Sequence, residues 1–295
     1  MLRIFRGLLA VVIVLVAAIF IARLIFPLPD ISLRPPETAL PISAGTPLGQ
    51  RVLAAQETHP GLSGVMPLAH GHDALASRLA LIDEAQSSVD AQYYIWHDDT
   101  SGILLLEALD RAAKRGVRVR LLLDDNGVPG LDGFMAALNR DENFEIRLFN
   151  PSTIRSPKMA GYAIDFMRMN RRMHNKSMIV DGAAAIIGGR NIGNEYFQIG
   201  EAFYVDMDAL AIGSIVPRTM EVFDQYWNAA SVFEIENIIP GEGDRAGFDA
   251  RVAEVRNSAE AKELLDVLEN SASRFARGDV QLEWTQVQLV ADDPV

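Results

Sequence analysis

Apolar and polar positions follow two alternating periods along most of this chain. Stretches with apolar residues at helical spacing take turns with shorter runs rich in β-branched and aromatic residues. These patterns predict helices over Ala74–Ser88, Gly102–Arg115, Leu131–Asn139, Ile215–Ala230 and Ala259–Phe275, and strands over Val89–Ile95, Val117–Leu123, Phe144–Phe149, Ala202–Ile212 and Val280–Val290. Helices and strands that alternate in this way favour an α/β layer structure, so we expect a mostly parallel sheet flanked by helices.

One segment departs from this alternation. Met178–Val180 and Ala183–Ile187 are two short apolar runs, and only Asp181-Gly182 separates them. An Asp-Gly pair between apolar runs is a strong signal of a tight hairpin turn. The sequence therefore predicts a β-hairpin at this point.

A long apolar run opens the chain. It extends from Gly7 to Phe26, with one interruption at Arg23, and two arginines precede it. About 20 apolar residues span a hydrocarbon core, so residues 1–26 are predicted to form one transmembrane helix; the alternative is a cleaved signal peptide. Basic residues ahead of the run favour a cytoplasmic N-terminus, which puts the rest of the chain on the far side of the membrane.

Residues 27–50 are rich in Pro, Gly, Ser and Thr. This composition is typical of a stiff, extended connection, because proline restricts the backbone and prevents helix formation. We therefore expect a Pro-rich tether over residues 27–50 and one globular domain over residues 51–295.

Composition narrows the classes of function. The formal net charge is −12, which disfavours a nucleic-acid partner because such partners require clustered Lys and Arg. A local basic group made of Arg168, Arg171, Arg172 and Lys176 keeps a nuclease open as an alternative. The chain has no cysteine, which excludes disulfides, thiolate zinc sites and a cysteine nucleophile.

The candidate chemistry lies at the predicted hairpin. His174 and Lys176 are two residues apart, so on an extended strand both side chains point to the same face. An imidazole beside an ammonium suits attack on a phosphodiester, since Lys176 can neutralise a phosphate oxygen while His174 attacks phosphorus. The Gly188-Gly189 pair lets the backbone approach a ligand closely, and Asn191 can offer an amide donor to the same phosphate.

These residues resemble the phospholipase D superfamily, whose motif is His-x-Lys-x4-Asp-x6-Gly-(Gly/Ser)-x-Asn. All spacings are met, by His174, Lys176, Asp181, Gly188, Gly189 and Asn191, within residues 168–195. Further segments are similar to bacterial cardiolipin synthase-like members, namely Gln92–Trp96, Asp98–Gly102, Gly116–Arg120 and Asn191–Phe197.

The resemblance implies a phospholipase D-like half-domain that transfers phosphatidyl groups between phospholipids through a phosphohistidine on His174. Alternatives are a phospholipase D-type hydrolase, a nuclease with the same half-site, and an inactive half that only binds phosphate. In the family the motif Asp, here Asp181, supports the site. An acidic residue on the following strand orients the imidazole; of Asp206 and Asp208 we choose Asp206. Together with the anchor, the resemblance implies a single-pass protein of a bacterial inner membrane, with its catalytic part on the periplasmic side.

The family mechanism uses two imidazoles, but this sequence contains only one His-x-Lys pair. We therefore expect a second half-site, supplied either by a C-terminal half beyond Val295 or by a second chain. The ending at Asp292-Asp293-Pro294 resembles the opening of such a second half.

Histidine and aspartate also cluster outside the motif. Their spacings match no standard set of metal ligands, so no metal or other cofactor is expected. The residues concerned are His70, His72, Asp73, His97, Asp98, Asp99, Asp124 and Asp125.

Overall fold

The computed structural model describes residues 2–201, 203–276 and 281–294. Its helices are α1 (Leu2–Ile25), α2 (Pro47–Thr58), α3 (Gly71–Glu84), α4 (Thr100–Lys114), α5 (Asp132–Leu138), α6 (Ala160–Met169), α7 (Ile215–Trp227), α8 (Ile235–Ile238), α9 (Arg245–Asn257) and α10 (Ala259–Ala276). Its strands are β1 (Ser63–Leu68), β2 (Ser88–Tyr93), β3 (Arg118–Asp124), β4 (Phe144–Phe149), β5 (Ser177–Val180), β6 (Ala184–Gly188), β7 (Asp208–Gly213), β8 (Val232–Glu234) and β9 (Glu283–Thr285).

The strands form one sheet in the order β8-β4-β3-β2-β5-β6-β7-β1-β9. Within the described residues, only β2–β3 and β3–β4 pair in parallel, and the other neighbours are antiparallel. The expected α/β sheet flanked by helices is confirmed, but the expectation of a mostly parallel sheet is wrong. Helical crossovers through α4 and α5 make the two parallel pairs, whereas a tight turn such as that between β5 and β6 can only join antiparallel strands.

Helices cover both faces of the sheet. Along β3, Leu121 and Leu123 pack in one apolar cluster with side chains of α3 and α4. Leu122, between them, packs in a second cluster with Phe223 and Trp227 of α7. This alternation follows from the two-residue period of a strand, so the sheet is the middle layer of three.

Several helices and strands begin or end at residues other than those predicted. Strand β4 covers Phe144–Phe149 as predicted, and α4 and β3 differ from prediction by a few residues. The strand predicted over Ala202–Ile212 begins only at Asp208, and residues 203–207 are irregular; position 202 lies outside the described residues. The predicted Val280–Val290 strand reduces to β9, and position 280 is also outside them. The sequence analysis did not predict β1, β8, α2, α6, α8 or α9.

The segment predicted as a tether packs against the domain. The Arg34 guanidinium donates to the carbonyl oxygen of Ala229 (2.9 Å), and the Ala39 amide donates to the Asp224 carboxylate (2.9 Å). Helix α2 begins at Pro47, so the predicted domain start at residue 51 falls inside this helix. The extended segment is therefore held by hydrogen bonds from one side chain and one backbone amide, which its Pro-rich composition does not reveal.

Helix α1 stands away from the domain along most of its length. Within its 23-residue Arg3–Ile25 stretch, an 18-residue window has a mean hydropathy of 3.1 and is not buried by the rest of the chain. By length and composition it is a candidate membrane span. Its last turn does contact the domain, because Arg23 Nε donates to the Ile164 carbonyl oxygen of α6 at 2.7 Å.

Candidate active site

The predicted hairpin is confirmed and lies in the middle of the sheet. Asp181 and Gly182 both have positive φ, 52° and 59°, and the Ala183 amide donates to the Val180 carbonyl oxygen at 2.9 Å. Positive φ at both positions is what an Asp-Gly turn supplies at low cost. Strand β5 pairs with β2 on one side and with β6 on the other, so the residues just before β5 are held firmly.

The Asp181 carboxylate holds the hairpin to the loop between α3 and β2. It accepts hydrogen bonds from the backbone amides of Gln86 (3.2 Å), Ser87 (2.8 Å) and Ser88 (3.0 Å). At about 3.3 Å per residue along β5, Asp181 lies roughly 16 Å from Lys176. The structure thus gives Asp181 a positioning role and does not bring it to the imidazole.

His174 and Lys176 lie together in the irregular segment immediately before β5. The imidazole of His174 is exposed, whereas Lys176 is 6% exposed. The Lys176 ammonium donates to the His174 carbonyl oxygen at 2.6 Å. Tyr94, at the end of β2, contacts both: its ring centroid is 5.2 Å from that of His174 and 5.6 Å from Lys176 Nζ. The two residues lie close together, as predicted, but neither is on a strand, because β5 begins at Ser177, three residues after His174.

Burial determines the protonation of this pair. Burial and the neighbouring Lys176 charge lower the pKa of His174 below its usual 6.5, and Asp206 partly opposes this shift. Burial lowers the pKa of Lys176 to about 8, again opposed by Asp206. At neutral pH the imidazole is therefore mostly neutral and nucleophilic, while the ammonium is mostly charged. Lys176 forms no ion pair with any described carboxylate, so this charge lacks a close counterion.

The two glycines of the motif make room for carboxylates. A Cβ on Gly188 would lie 2.1 Å from Asp208 Oδ1, and a Cβ on Gly189 would lie 2.0 Å from Asp206 Oδ1. Both positions therefore need glycine because the chain leading into β7 passes close by. The sequence predicts that the backbone at these glycines approaches a ligand. In the structure it is Asp206 and Asp208 that this backbone approaches.

The two aspartates after the motif have different environments. Asp208 is buried at the start of β7 and forms an ion pair of 2.9 Å with the buried Arg78. Asp206 is half-buried, precedes the strand, and accepts from the Met207 amide at 2.8 Å. The sequence predicts a strand that holds both aspartates, but only Asp208 is on it. In the described part of the chain the His174 ring has no carboxylate hydrogen bond, so the orienting role of Asp206 stays a prediction; its negative charge partly opposes the lowering of the His174 pKa.

Asn191 is buried beside the site. Its amide oxygen accepts from the Ile95 amide at 3.1 Å, which holds the segment after β2 that carries Tyr94. Asn191 also hydrogen-bonds the Tyr196 hydroxyl, an interaction that lowers the Tyr196 pKa against the larger raising effect of burial. These contacts give Asn191 a positioning role; donation to a substrate phosphate remains a prediction.

A cavity of about 150 Å³ opens beside the pair, and residues 289–291 line one of its walls. Two residues that the sequence analysis did not single out line it as well: Gln92 Nε2 donates to Ser177 Oγ at 3.1 Å, and no described group bonds the buried Gln92 Oε1. A glutamine on a strand predicted to lie within the sheet was the available signal, since a buried amide requires partners.

A metal centre is one alternative to the phosphodiesterase site that the geometry can test. His97, Asp99 and Glu195 have ligand atoms within 4.8 Å of one another. Both Asp99 oxygens already accept backbone amides, because Asp99 caps α4 through the Gly102 amide (3.0 Å) and also binds the Asn194 amide (2.7 Å). The remaining candidates for metal ligands do not join this group in the described residues.

The basic group near the motif is partly neutralised. Arg168 Nε is 2.6 Å from the Asp165 carboxylate, and the Arg172 guanidinium is 2.6 Å from Asp124. The buried Asp124 also accepts from the Met173 amide at 2.9 Å, and burial raises its pKa to about 6. Two of the four cations therefore hold the chain in place instead of forming a continuous basic surface.

Comparison with known proteins identifies relatives of this chain. Residues 79–227 match the family model described as cardiolipin synthase, PLD-like domain. The chain is 43% identical over 251 residues to cardiolipin synthase C of Escherichia coli K12, covering 84% of this chain and 53% of that protein. It is 31% identical over 172 residues to the major cardiolipin synthase ClsA of Bacillus subtilis 168, covering 58% of this chain and 34% of that protein.

Among solved structures, phosphatidylserine synthase of Haemophilus influenzae Rd KW20 shows a TM-score of 0.47 at 14% identity, covering 77% of this chain and 48% of its own. The chain spans about half, or less, of the length of the curated relatives it matches.

We predict opposite shifts of the His174 pKa from two substitutions. Lys176→Ala removes a cation that lowers this pKa, so the pKa should rise; Asp206→Asn removes an anion that raises it, so the pKa should fall. Proton-detected NMR titration of imidazole-labelled chain measures both. Unchanged His174 titration in both variants would contradict this electrostatic description of the site.

Proposed function

This chain belongs to the cardiolipin synthase family of phospholipase D-like domains, and we propose that it is one half of a membrane-anchored phosphatidyltransferase that acts on phospholipids. The donor is phosphatidylglycerol or a similar phospholipid. The acceptor is a lipid hydroxyl, which yields cardiolipin, or water, which yields phosphatidic acid.

The observation that carries the proposal is the buried Lys176 ammonium next to an exposed, mostly neutral imidazole. A charged group that is buried without an ion pair is costly, and a bound anion would remove much of that cost. A phosphodiester supplies such an anion. Once one phosphate oxygen pairs with Lys176, phosphorus lies beside His174, because the two residues are adjacent at the mouth of one cavity.

The proposed reaction has two steps. In the first, the His174 ring nitrogen attacks phosphorus, an N–P bond forms, and the P–O bond to the leaving alcohol breaks; an acid protonates that alcohol. In the second, the acceptor hydroxyl attacks phosphorus and loses its proton to the same group, and the N–P bond breaks to restore His174. Lys176 stabilises the charge on the phosphate oxygens in both steps, so the proposal requires no metal ion.

The group that acts first as the acid and then as the base belongs to a second half-site. Among the described residues, His174 is the only histidine that lines the cavity. We propose that a second His-x-Lys half, from a longer chain or from a second copy, supplies the other imidazole. A two-fold pairing of equal halves would place two such rings face to face.

The membrane part of the proposal depends on α1. We propose that α1 spans the inner membrane of a bacterium with its N-terminus in the cytoplasm, which puts the catalytic part on the periplasmic side. A span at this point keeps the cavity near its lipid substrates. The nuclease alternative is less favoured, because the net charge is −12 and carboxylates neutralise two of the four nearby cations.

His174→Ala should abolish phosphatidyl transfer by the complete enzyme, because no nucleophile remains. Lys176→Ala should lower kcat/KM by about 10²–10³, the usual effect of removing one oxyanion donor (~3–4 kcal/mol). Thin-layer or mass-spectrometric analysis of lipid products measures both. His72→Ala, which removes a half-buried histidine outside the cavity, is the matched control and should keep its activity. Near-normal transfer by His174→Ala would contradict the mechanism, and cleavage of DNA without lipid transfer would favour the nuclease.

A composite site predicts that one copy of this chain alone is nearly inactive. A missing acid typically costs ~10²–10⁴-fold in rate, because an alkoxide leaves poorly at neutral pH. Transfer activity should be measured against protein concentration in nanodiscs that hold one copy or two. Activity that appears only with two copies indicates a homodimer, and activity only after addition of a second half indicates a longer chain. Full activity from a single copy would rule the composite site out.

A further inference from the structure

A stripe of exposed apolar side chains follows helix α6, on the side that would carry polar residues in an ordinary surface helix. Met159 is 69% exposed, Phe166 56% and Met167 76%, and Ala163 between them is exposed too. Met159 and Ala163 precede the break in helical geometry at Asp165, and Phe166 and Met167 follow it, so the stripe is defined by exposure and not by one continuous helical face. Within α6 itself, Gly161 and Met169 are the buried residues.

Helix α6 lies at the end of the candidate membrane span. Arg23, in the last turn of α1, donates to the Ile164 carbonyl oxygen (2.7 Å) and pairs with the Asp165 carboxylate (3.2 Å). The Thr153 hydroxyl donates to the Phe26 carbonyl oxygen at 3.0 Å. These bonds hold α6 at the level where the span ends, which is the interface between acyl chains and headgroups.

The surroundings of α6 fit an anionic lipid surface. A cleft of about 210 Å³ between α1 and α6 is lined by apolar Phe26, Ile164 and Met169. Arg23, Arg168 and the Asp165 carboxylate with which both arginines pair also line it, so these three side chains carry one net positive charge. Arg168 Nη1 is buried there without a hydrogen-bond partner among the described residues. Arg171, just after the helix, is exposed. Apolar surface bordered by cations is the arrangement that interfacial helices use.

From these contacts we propose that α6 is a second membrane contact of this protein, lying in the lipid interface with Met159, Phe166 and Met167 among the acyl chains. The helix ends five residues before His174, and Asp124 holds the connecting segment through the Arg172 side chain and the Met173 amide. The depth of α6 therefore sets the height of the catalytic cavity above the bilayer. The inference rests on the proposed function only in taking α1 as a membrane span.

Tryptophan scanning with brominated lipids tests the proposal. Phe166→Trp and, independently, Met167→Trp are introduced into the full chain, which is reconstituted in phosphatidylglycerol–phosphatidylethanolamine vesicles with brominated acyl chains. Both substitutions are at exposed positions, and the emission of the native Trp96, Trp227 and Trp284 is subtracted using wild-type protein. The added tryptophans should emit at shorter wavelength and be quenched to an extent comparable to a tryptophan in the span. Phe20→Trp in α1 is that positive control, and Ala253→Trp on exposed α9 is the control that should stay unquenched.

The outcomes separate this inference from the membrane anchor. Quenching of Phe20→Trp without quenching of Phe166→Trp or Met167→Trp would overturn the α6 proposal and leave the anchor standing. A blue shift without quenching would also overturn the α6 proposal. It would indicate that the stripe is covered by protein, from a second half or a second copy, and not by lipid. An unquenched Phe20→Trp would overturn the anchor and this inference together.

Discussion

The site depends on one buried charge that the fold leaves without a close counterion. Lys176 is 6% exposed, and burial lowers its pKa to about 8, which reflects the cost of removing an ammonium from water. The His174 carbonyl oxygen and the Tyr94 ring stabilise the charge, but neither neutralises it. Asp206 acts on it only through space. An anion that enters the cavity is therefore stabilised there, and the chemistry of His174 follows from where that anion must sit.

The rest of the fold keeps this charge in place and keeps nearby carboxylates from pairing with it. Asp181 secures the far end of β5 by accepting three backbone amides, and Lys176 immediately precedes the near end of the same strand. Asp208 approaches within contact distance of Gly188, but Arg78 and Arg190 already engage its carboxylate. Residues that do not contact the substrate in the proposed mechanism therefore position the strand and neutralise the nearby carboxylate.

Local signals in the sequence were enough to locate the site, but not to describe its surroundings. The Asp181-Gly182 turn and strand β4 depend on neighbouring residues, and the structure places them as predicted. His174 and Lys176 lie close together, although in the irregular segment before β5 and not on a strand. Strand direction depends on which distant segments pair: β2 lies between β3 and β5, and no local pattern encodes that choice.

The sequence patterns were ambiguous for the Pro-rich segment, for the strand after the motif and for α6. The Pro-rich segment contacts the domain through the Arg34 side chain and the Ala39 amide, and composition does not predict such contacts. The pattern predicted a strand over Ala202–Ile212 that holds both Asp206 and Asp208, whereas the strand begins only at Asp208. An apolar stripe such as that of α6 reads as core in a sequence, and only the packed structure shows that it faces outward. The central claim of the proposed mechanism is that His174 becomes covalently attached to phosphorus. Rapid quenching of turnover in alkaline detergent, with a phosphate-labelled phospholipid as substrate, followed by peptide mass spectrometry at neutral to alkaline pH, measures this directly. The proposed mechanism predicts a label on His174 that is stable in alkali, lost in acid and absent from Lys176→Ala at short times; turnover with no label on His174 would contradict it.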